Sequence, residues 1–327
     1  MKPNIKDVAT LAGVSATTVS RVLNNRGYIS EETRNKVYQA MEELHYFPND
    51  VARSLFRKST KFIGLIFPTT SHPFFGELIL NIERICSTRG YKVLLCNSLN
   101  DQEKESEYLE MLQRNQVDGI IVGTHNQGTL NYEKIRFPVV AIDRYLSDSI
   151  PVVSSDNYQG GKIAAELLLE SGCKKIIHIC GPQQLKTPAN QRTNAFKDVM
   201  KNHGIEPVIY ELPVNFQQPS TIRMIHKIFD EHQDIDGIFA SDDLIAASIL
   251  AEAYGIGRKI PDDLKVIGYD GTETVQICLP HLTTIRQPIK QIAEKSVSML
   301  IDLIEGKQFE RQYEETIPVS IKKGTTV

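Results

Sequence analysis

At 327 residues the chain exceeds one small domain and suits two or three, and 41% hydrophobic with 24% charged residues is an ordinary globular balance. The net charge of −3 is uneven: residues 1–60 hold nine Lys/Arg against six Asp/Glu, a net +3 that leaves −6 for the remainder. A small basic head on an acidic body suits a phosphate-binding module joined to a domain that does not touch nucleic acid.

The start, Met1-Lys2-Pro3-Asn4, is polar with no apolar stretch behind it, and a secretion signal is not expected. No run approaches the roughly 20 apolar residues of a membrane helix, so no membrane partner is expected. Five cysteines (Cys86, Cys96, Cys173, Cys180, Cys278) are scattered without a CxxC pair. That pattern fits reduced thiols in a cytoplasm better than disulfides or a zinc site.

Ile5, Val8, Ala9 and Ala12 repeat at helical spacing, and Val19, Val22 and Leu23 do so again. Between them, Gly13 can end the first helix in the left-handed conformation, Ser15 can cap the second, and Val14 would plug the angle. A third helix is expected after Ser30, with Val37, Ala40, Met41 and Leu44 as its buried face. Two short helices about a glycine turn give a helix-turn-helix. The second helix carries Ala16, Thr17, Ser20 and Arg21 on its outer side. Arg can hold guanine bidentately and Thr or Ala can touch a thymine methyl, while Ser15, Thr18 and Asn24 can position phosphates. A three-helix packing domain that binds no DNA is the plainer reading of the turn alone.

The run Ile5–Asn25 and the stretch Tyr46-Phe47-Pro48-Asn49-Asp50-Val51-Ala52-Arg53-Ser54-Leu55 closely resemble the head of the lactose/galactose repressor (LacI/GalR) family. The resemblance implies a helix-turn-helix over 1–49 and a hinge helix and linker over 50–60. In that hinge, Ala52 would contact DNA and Leu55 would wedge into the central base step of the minor groove. So short a helix is marginal alone, and folding on DNA is expected.

From Lys61 onward apolar runs alternate with amphipathic stretches. Strands are expected at Phe62–Phe67, Val93–Cys96, Gly119–Val122, Val139–Ile142, Ile176–Cys180, Gly237–Ala240 and Val266–Tyr269. Helices are expected between them, as at Phe75–Thr88 and Gly161–Leu169, and a last strand at about Glu315–Ile321. That alternation implies two doubly wound parallel sheets with a cleft between. Ligands gather beyond the carboxyl ends of such strands. The residues there are His72, Phe74 and Phe75, then Asp143 and Arg144, Asn190 and Arg192, Ser241 and Asp242, Asp270, and Gln287. Carboxylates, amides and arginines can hydrogen-bond hydroxyl pairs, and an aromatic face can cover a sugar's C–H side. Each also has a plainer role: Asp242 or Asp270 as a cap, Asp143-Arg144 as a surface ion pair, the phenylalanines as core.

The body is similar to that family's sensor and to periplasmic ribose-type binding proteins, through Asp143-Arg144, Arg192 with Phe196, Asp242, Gly268-Tyr269-Asp270 and Thr284-Ile285-Arg286-Gln287. The implied fold is an all-α helix-turn-helix head plus an α/β periplasmic-binding-protein-like body, 61–327. Its first lobe would be about 61–157 and 289–317, and its second about 158–286 and 318–327. Asp143, Arg192, Asp270 and Gln287 would be sugar ligands, with Phe74 and Phe75 stacking. His72 and Ser241 stand where many relatives have Asn, a departure that bears on hydroxyl readout. Ile142–Leu146, Val153–Gly161 and Ala240–Asp243 look most like sucrose operon repressors of Gram-positive bacteria, implying a sucrose- or fructose-type effector.

A sugar-transport protein would need a signal peptide and no helix-turn-helix. For an enzyme there is no Walker loop, GxGxxG after a strand, GxSxG or HExxH, and the eight histidines lack metal spacing. No cofactor or metal is expected. Within the regulators two alternatives stay open: a catabolite-control protein using a serine-phosphorylated phosphocarrier protein as corepressor, and a ribose-responsive repressor. A pseudo-palindromic operator needs two heads, so a homodimer is expected. With six residues after Ile321, no tetramer-forming heptad helix is expected.

Overall fold

The computed structural model describes residues 3–47, 59–124, 132, 135–184, 187–212 and 218–327. The chain divides into two compact units, Met1–Thr60 and Lys61–Val327. Among the described residues no helix is long and apolar enough to cross a membrane.

In the first unit, α1 (Ile5–Leu11), α2 (Ala16–Leu23) and α3 (Glu31–Glu43) each begin at a side-chain cap. Asn4 accepts from Lys6 N while the Asp7 carboxylate reaches back to Asn4 N at 2.7 Å. Ser15 caps α2 through Thr18 N at 3.1 Å, and Ser30 caps α3. Gly13 takes φ +64 and turns the chain between α1 and α2, as its position implied. The fully buried Val8, Val19 and Val37 meet at the centre. Val14 packs against them half-buried, and Met41 and Leu44 are also half-buried rather than core. Ala52 and Leu55 lie outside the described residues.

The second unit holds two sheets. Strands β1 (Phe62–Phe67), β2 (Lys92–Asn97), β3 (Gly119–Val122), β4 (Val139–Ile142), β5 (Val152–Ser155) and β11 (Glu314–Ile317) form the first, ordered β11-β5-β4-β3-β1-β2 and all parallel. Strands β6 (Ile176–Cys180), β7 (Val208–Glu211), β8 (Gly237–Ala240), β9 (Lys265–Asp270), β10 (Thr283–Arg286) and β12 (Ser320–Lys322) form the second, ordered β12-β10-β9-β8-β6-β7. Only β12 runs antiparallel there. Inner strands such as β3 (Gly-Ile-Ile-Val) and β4 (Val-Val-Ala-Ile) are apolar runs, because helices cover both faces.

On the first sheet, α4 (Pro73–Thr88) and α11 (Ile289–Ile304) cover one face and α5 (Gln102–Arg114) the other. On the second, α6 (Asn157–Glu170) and α7 (Asn190–Asn202) lie opposite α8 (Gln218–Glu231) and α9 (Asp243–Gly255). A short α10 (Glu273–Cys278) follows β9. The chain crosses between lobes after β5, after β10 and after β11. The single last strand expected at Glu315–Ile321 is in fact two. It breaks at Pro318-Val319, where the chain leaves the first sheet and joins the second in the opposite direction. Proline has no N–H to give a ladder, so the break falls there.

Two glycines let α6 approach its neighbours. A Cβ at Gly160 would sit 2.8 Å from the Tyr269 ring, and one at Gly161 2.7 Å from Arg192 Cα. Backbone cannot swing aside as a side-chain tip can. Gly161→Ala is therefore expected to destabilise the protein by about 1 kcal/mol or more, outweighing the roughly 1 kcal/mol alanine gains in a helix. Urea unfolding would measure it, and an unchanged midpoint would show that α6 and α7 separate freely.

Candidate functional site

The carboxyl ends of β1, β4, β6, β8 and β9 open onto one cleft of about 610 Å³ between the two sheets. Its lining includes His72, Phe74, Phe75, Asp143, Asn190, Arg192, Ser241, Asp242, Asp270 and Gln287. Ten of the eleven body residues expected from sequence thus line one cleft, from both lobes. The exception is Arg144. It is buried on the far side of β4, where its guanidinium donates to Glu105 at 2.9 Å and to Thr124, with Tyr132 on the same carboxylate. Asp143 follows the end of β4 in a left-handed conformation, and the chain there turns the Asp143 side chain to the cleft and Arg144 away from it. Neither forms the surface ion pair weighed above.

The polar groups form a chain of hydrogen bonds. Arg192 sits over the Tyr269 ring, its Cζ 3.6 Å from the centroid, and donates from Nε to Asn157 Oδ1 at 2.7 Å and from Nη1 to the Ser241 carbonyl at 2.8 Å. Asn157 Nδ2 donates to Asp143 Oδ1 at 3.2 Å. Gln287 donates to Asp270 at 2.7 Å and accepts from Ser155 Oγ at 2.7 Å. Asn157, Ser155 and Tyr269 were not singled out as site residues from sequence. Asn157 and Ser155 lay within the resemblance phrase Val153–Gly161, and a polar Ser-Ser-Asp-Asn following two valines was the available signal.

Asp143 sits at φ +49, a left-handed conformation that Asp and Asn tolerate better than bulkier residues. Burial pushes its carboxyl up to about 6 against the pull of Arg192 and Asn157. Burial also raises Asp270, against His72 and Arg192. Asp243, one residue past the cleft wall, is raised by burial and by the Asp270 charge. It anchors Gly271 N at 2.8 Å and Thr284 Oγ1 at 2.6 Å, holding the turn that presents Asp270. Asp242 does both jobs weighed for it: it caps α9 through Ile245 N at 2.8 Å and lines the cleft. His72 caps α4, its Nδ1 accepting from Phe74 N at 3.3 Å, which puts the neutral ring's proton on Nε2. Phe74 and Phe75 meet edge to face at 5.3 Å.

On α2 of the first unit, Thr17 and Arg21 are exposed. Ala16 packs partly against the core, Thr18 shares a hydrogen bond with Ser15 at 2.9 Å, and Asn24 bonds back to the Ser20 carbonyl at 2.8 Å. Thr17 and Arg21, one turn apart, are thus the freest side chains for base edges. Among the described residues no His, Cys, Asp and Glu cluster could hold a metal ion.

A carboxylate raised to about 6 binds its proton more tightly in the folded than in the unfolded chain. Asp143 therefore contributes less stability as pH rises from the usual carboxylate range through about 6. Asp143→Asn keeps the shape and removes this loss. Its stability relative to wild type should grow between about pH 4 and pH 7, by no more than about 3 kcal/mol. Urea titrations at both ends test it; a constant difference would mean the carboxyl titrates as if exposed.

Residues 4–49 match the model of the bacterial regulatory proteins of the lacI family, and residues 165–327 that of the periplasmic binding protein-like domain. The chain is 46% identical to the sucrose operon repressor of Pediococcus pentosaceus, over 100% of both chains. A periplasmic binding protein/LacI transcriptional regulator from Alkaliphilus metalliredigens QYMF, solved with D-xylulofuranose, is 34% identical, with 82% of this chain and 99% of that one covered at a TM-score of 0.74. The lac repressor dimer bound to operator and an anti-inducer is 25% identical and superposes over 100% of both chains at a TM-score of 0.86. The capped helix-turn-helix, the two parallel-sheet lobes and these likenesses agree: the chain belongs to the lacI family of bacterial regulatory proteins, as a non-enzymatic, DNA-binding, sugar-responsive transcription repressor.

Proposed function

We propose that this repressor controls a carbohydrate-utilisation operon and is itself controlled by a sugar of the sucrose or fructose type held in the cleft. The observation that carries the reading is the convergence of Asp143, Arg192, Asp270 and Gln287 on one cavity with Phe74 and Phe75 on its wall. Carboxylates and an amide pre-held by Asn157 and Ser155 suit vicinal hydroxyls, each charged hydrogen bond contributing roughly 1.5–3 kcal/mol. His72 Nε2–H adds a donor where many relatives place an amide. The protein acts in the cytoplasm as a homodimer, because a pseudo-palindrome takes two heads. The exposed Leu80 on α4 and Ile277 on α10 support a contact along the bodies.

On DNA, Arg21 reads a base, Ala16, Thr17 and Ser20 face the groove beside it with Ala16 and Thr17 near thymine methyls, and Ser15, Thr18 and Asn24 set the helix against the phosphates. Ala52 and Leu55 complete the interface from the hinge. Arg21→Ala should cost about 1–3 kcal/mol and relax preference at one base position in each half-site. Binding to an operator library at fixed salt measures this, and a uniform loss across all sequences would reassign Arg21 to a phosphate.

The sensor test uses Asp270→Ala, which should retain wild-type operator affinity and lose release by sugar. Electrophoretic mobility shifts with sucrose, fructose, ribose and maltose read both. A variant released at wild-type sugar concentrations would remove Asp270 from the site. Operator binding strengthened by a serine-phosphorylated phosphocarrier protein, with no response to any sugar, would replace sugar control by protein corepression.

A further inference from the structure

Beside the cleft lies a second hollow of about 340 Å³, between α8 and α9, that the assigned ligands leave unused. His72, Asp242 and Leu244 line both spaces, so the two are contiguous. A hollow of this size falls at the lower end of the roughly 300–1,000 Å³ usual for small-molecule sites. One wall is apolar, from Ile222, Leu244, Ala247 and Ala251, and the rest is polar, from Thr221, Ser248 and Glu252, whose Oε2 is already bonded to His226 Nε2. Leu244 is 43% exposed in the first turn of α9, an apolar side chain standing where the two spaces join. Apolar faces opposed by hydroxyl and carboxylate acceptors match the two sides of a pyranose or furanose ring.

Resting on the sugar-responsive reading above, we propose that this hollow is a second saccharide subsite and that the effector is a neutral disaccharide. One ring lies in the cleft among Asp143, Arg192, Asp270 and Gln287. The other passes Leu244 and seats between α8 and α9, its hydroxyls facing Ser248 and Glu252. The Asp242 carboxylate on this wall, with Glu252 beside it held by His226, favours an uncharged second ring over a phosphorylated one. A monosaccharide fills the first position only and loses the contacts of the second.

Calorimetric titration of the full-length protein with sucrose, maltose, cellobiose, glucose and fructose tests this. At least one disaccharide should bind tenfold or more tightly than either of its constituent monosaccharides. Ala251→Trp places a large ring in the hollow from an exposed helix position. It should bring disaccharide affinity down to the monosaccharide level, with monosaccharide affinity unchanged within about twofold. The natural chain has no tryptophan, so the introduced indole also reports by fluorescence whether the variant is folded. Ser248→Leu, a smaller block on the same wall, should give a partial loss in the same direction. Monosaccharides binding as tightly as disaccharides, or disaccharide affinity untouched in both variants, would overturn the subsite while leaving sugar control standing. Wild-type protein that binds no sugar at all would instead overturn sugar control, and the subsite with it.

Discussion

Two buried hydrogen bonds at the crossing segments hold the site together: Ser155 to Gln287, and Arg192 to Asn157. Each joins a residue from one passage between the lobes to a residue of another element. Ser155 ends the last interior strand of the first sheet, and Gln287 lies on the return passage. Asn157 opens α6 and reaches Asp143 on the first lobe and Arg192 on the second. A buried polar group without a partner costs about 1–3 kcal/mol, so these amides fix each other's orientation. The groups that face the cleft inherit that order.

The cleft gathers negative charge, and the fold offsets it with backbone. The first turns of α4, α7 and α9 all face the cavity, through His72, Asn190 and Asp242 with Leu244. Helix starts carry partial positive charge, and Arg192 adds a full one. Raised proton affinities at Asp143 and Asp270 show that the offset is incomplete. Burial outweighs the favourable neighbours at both. A hydroxyl-rich ligand that donates to these carboxylates relieves the remaining cost, a physical reason for the cleft to favour such a ligand.

Much of this was legible in the chain. Long apolar runs declared β1, β3, β4, β6 and β8 to their observed bounds, because strands buried on both faces admit little else. Val152–Ser155, Val208–Glu211 and Thr283–Arg286 escaped, since each is four residues long and half polar or at an edge. The terminal pair β11 and β12 read as one strand because alternation continues through Pro318-Val319 while the partner sheet changes. At the site, topology located side chains that line the cleft but not the ones that orient them. Asn157 is a helix-opening asparagine by sequence, and only the fold brings it to Asp143 and Arg192. Arg144 neighbours Asp143 in sequence but not in the cleft, because the left-handed turn at Asp143 sends the next side chain to Glu105 and Thr124 instead.

The position of α11 has a consequence for how the molecule is made. Ile292, Ala293, Val297 and Leu300 are buried in the same core as Ile63, Leu65 and Leu78 of the first lobe. The edge strand β11 arrives later still, at residues 314–317. While the chain emerges from the ribosome, the first lobe has its amino-terminal strands and α4 but lacks α11, the second helix of that face, until some 230 further residues have been added after β1, at roughly 5–20 residues per second. For that interval the face is only partly covered, and the side chains that α11 later buries stay open to solvent and to other nascent chains. The second lobe, whose sheet lacks only β12 by residue 286, can close first and stand as a template beside the unfinished one. Such a protein is completed from its middle outward, and a chaperone's services fall due on the half that was synthesised earliest.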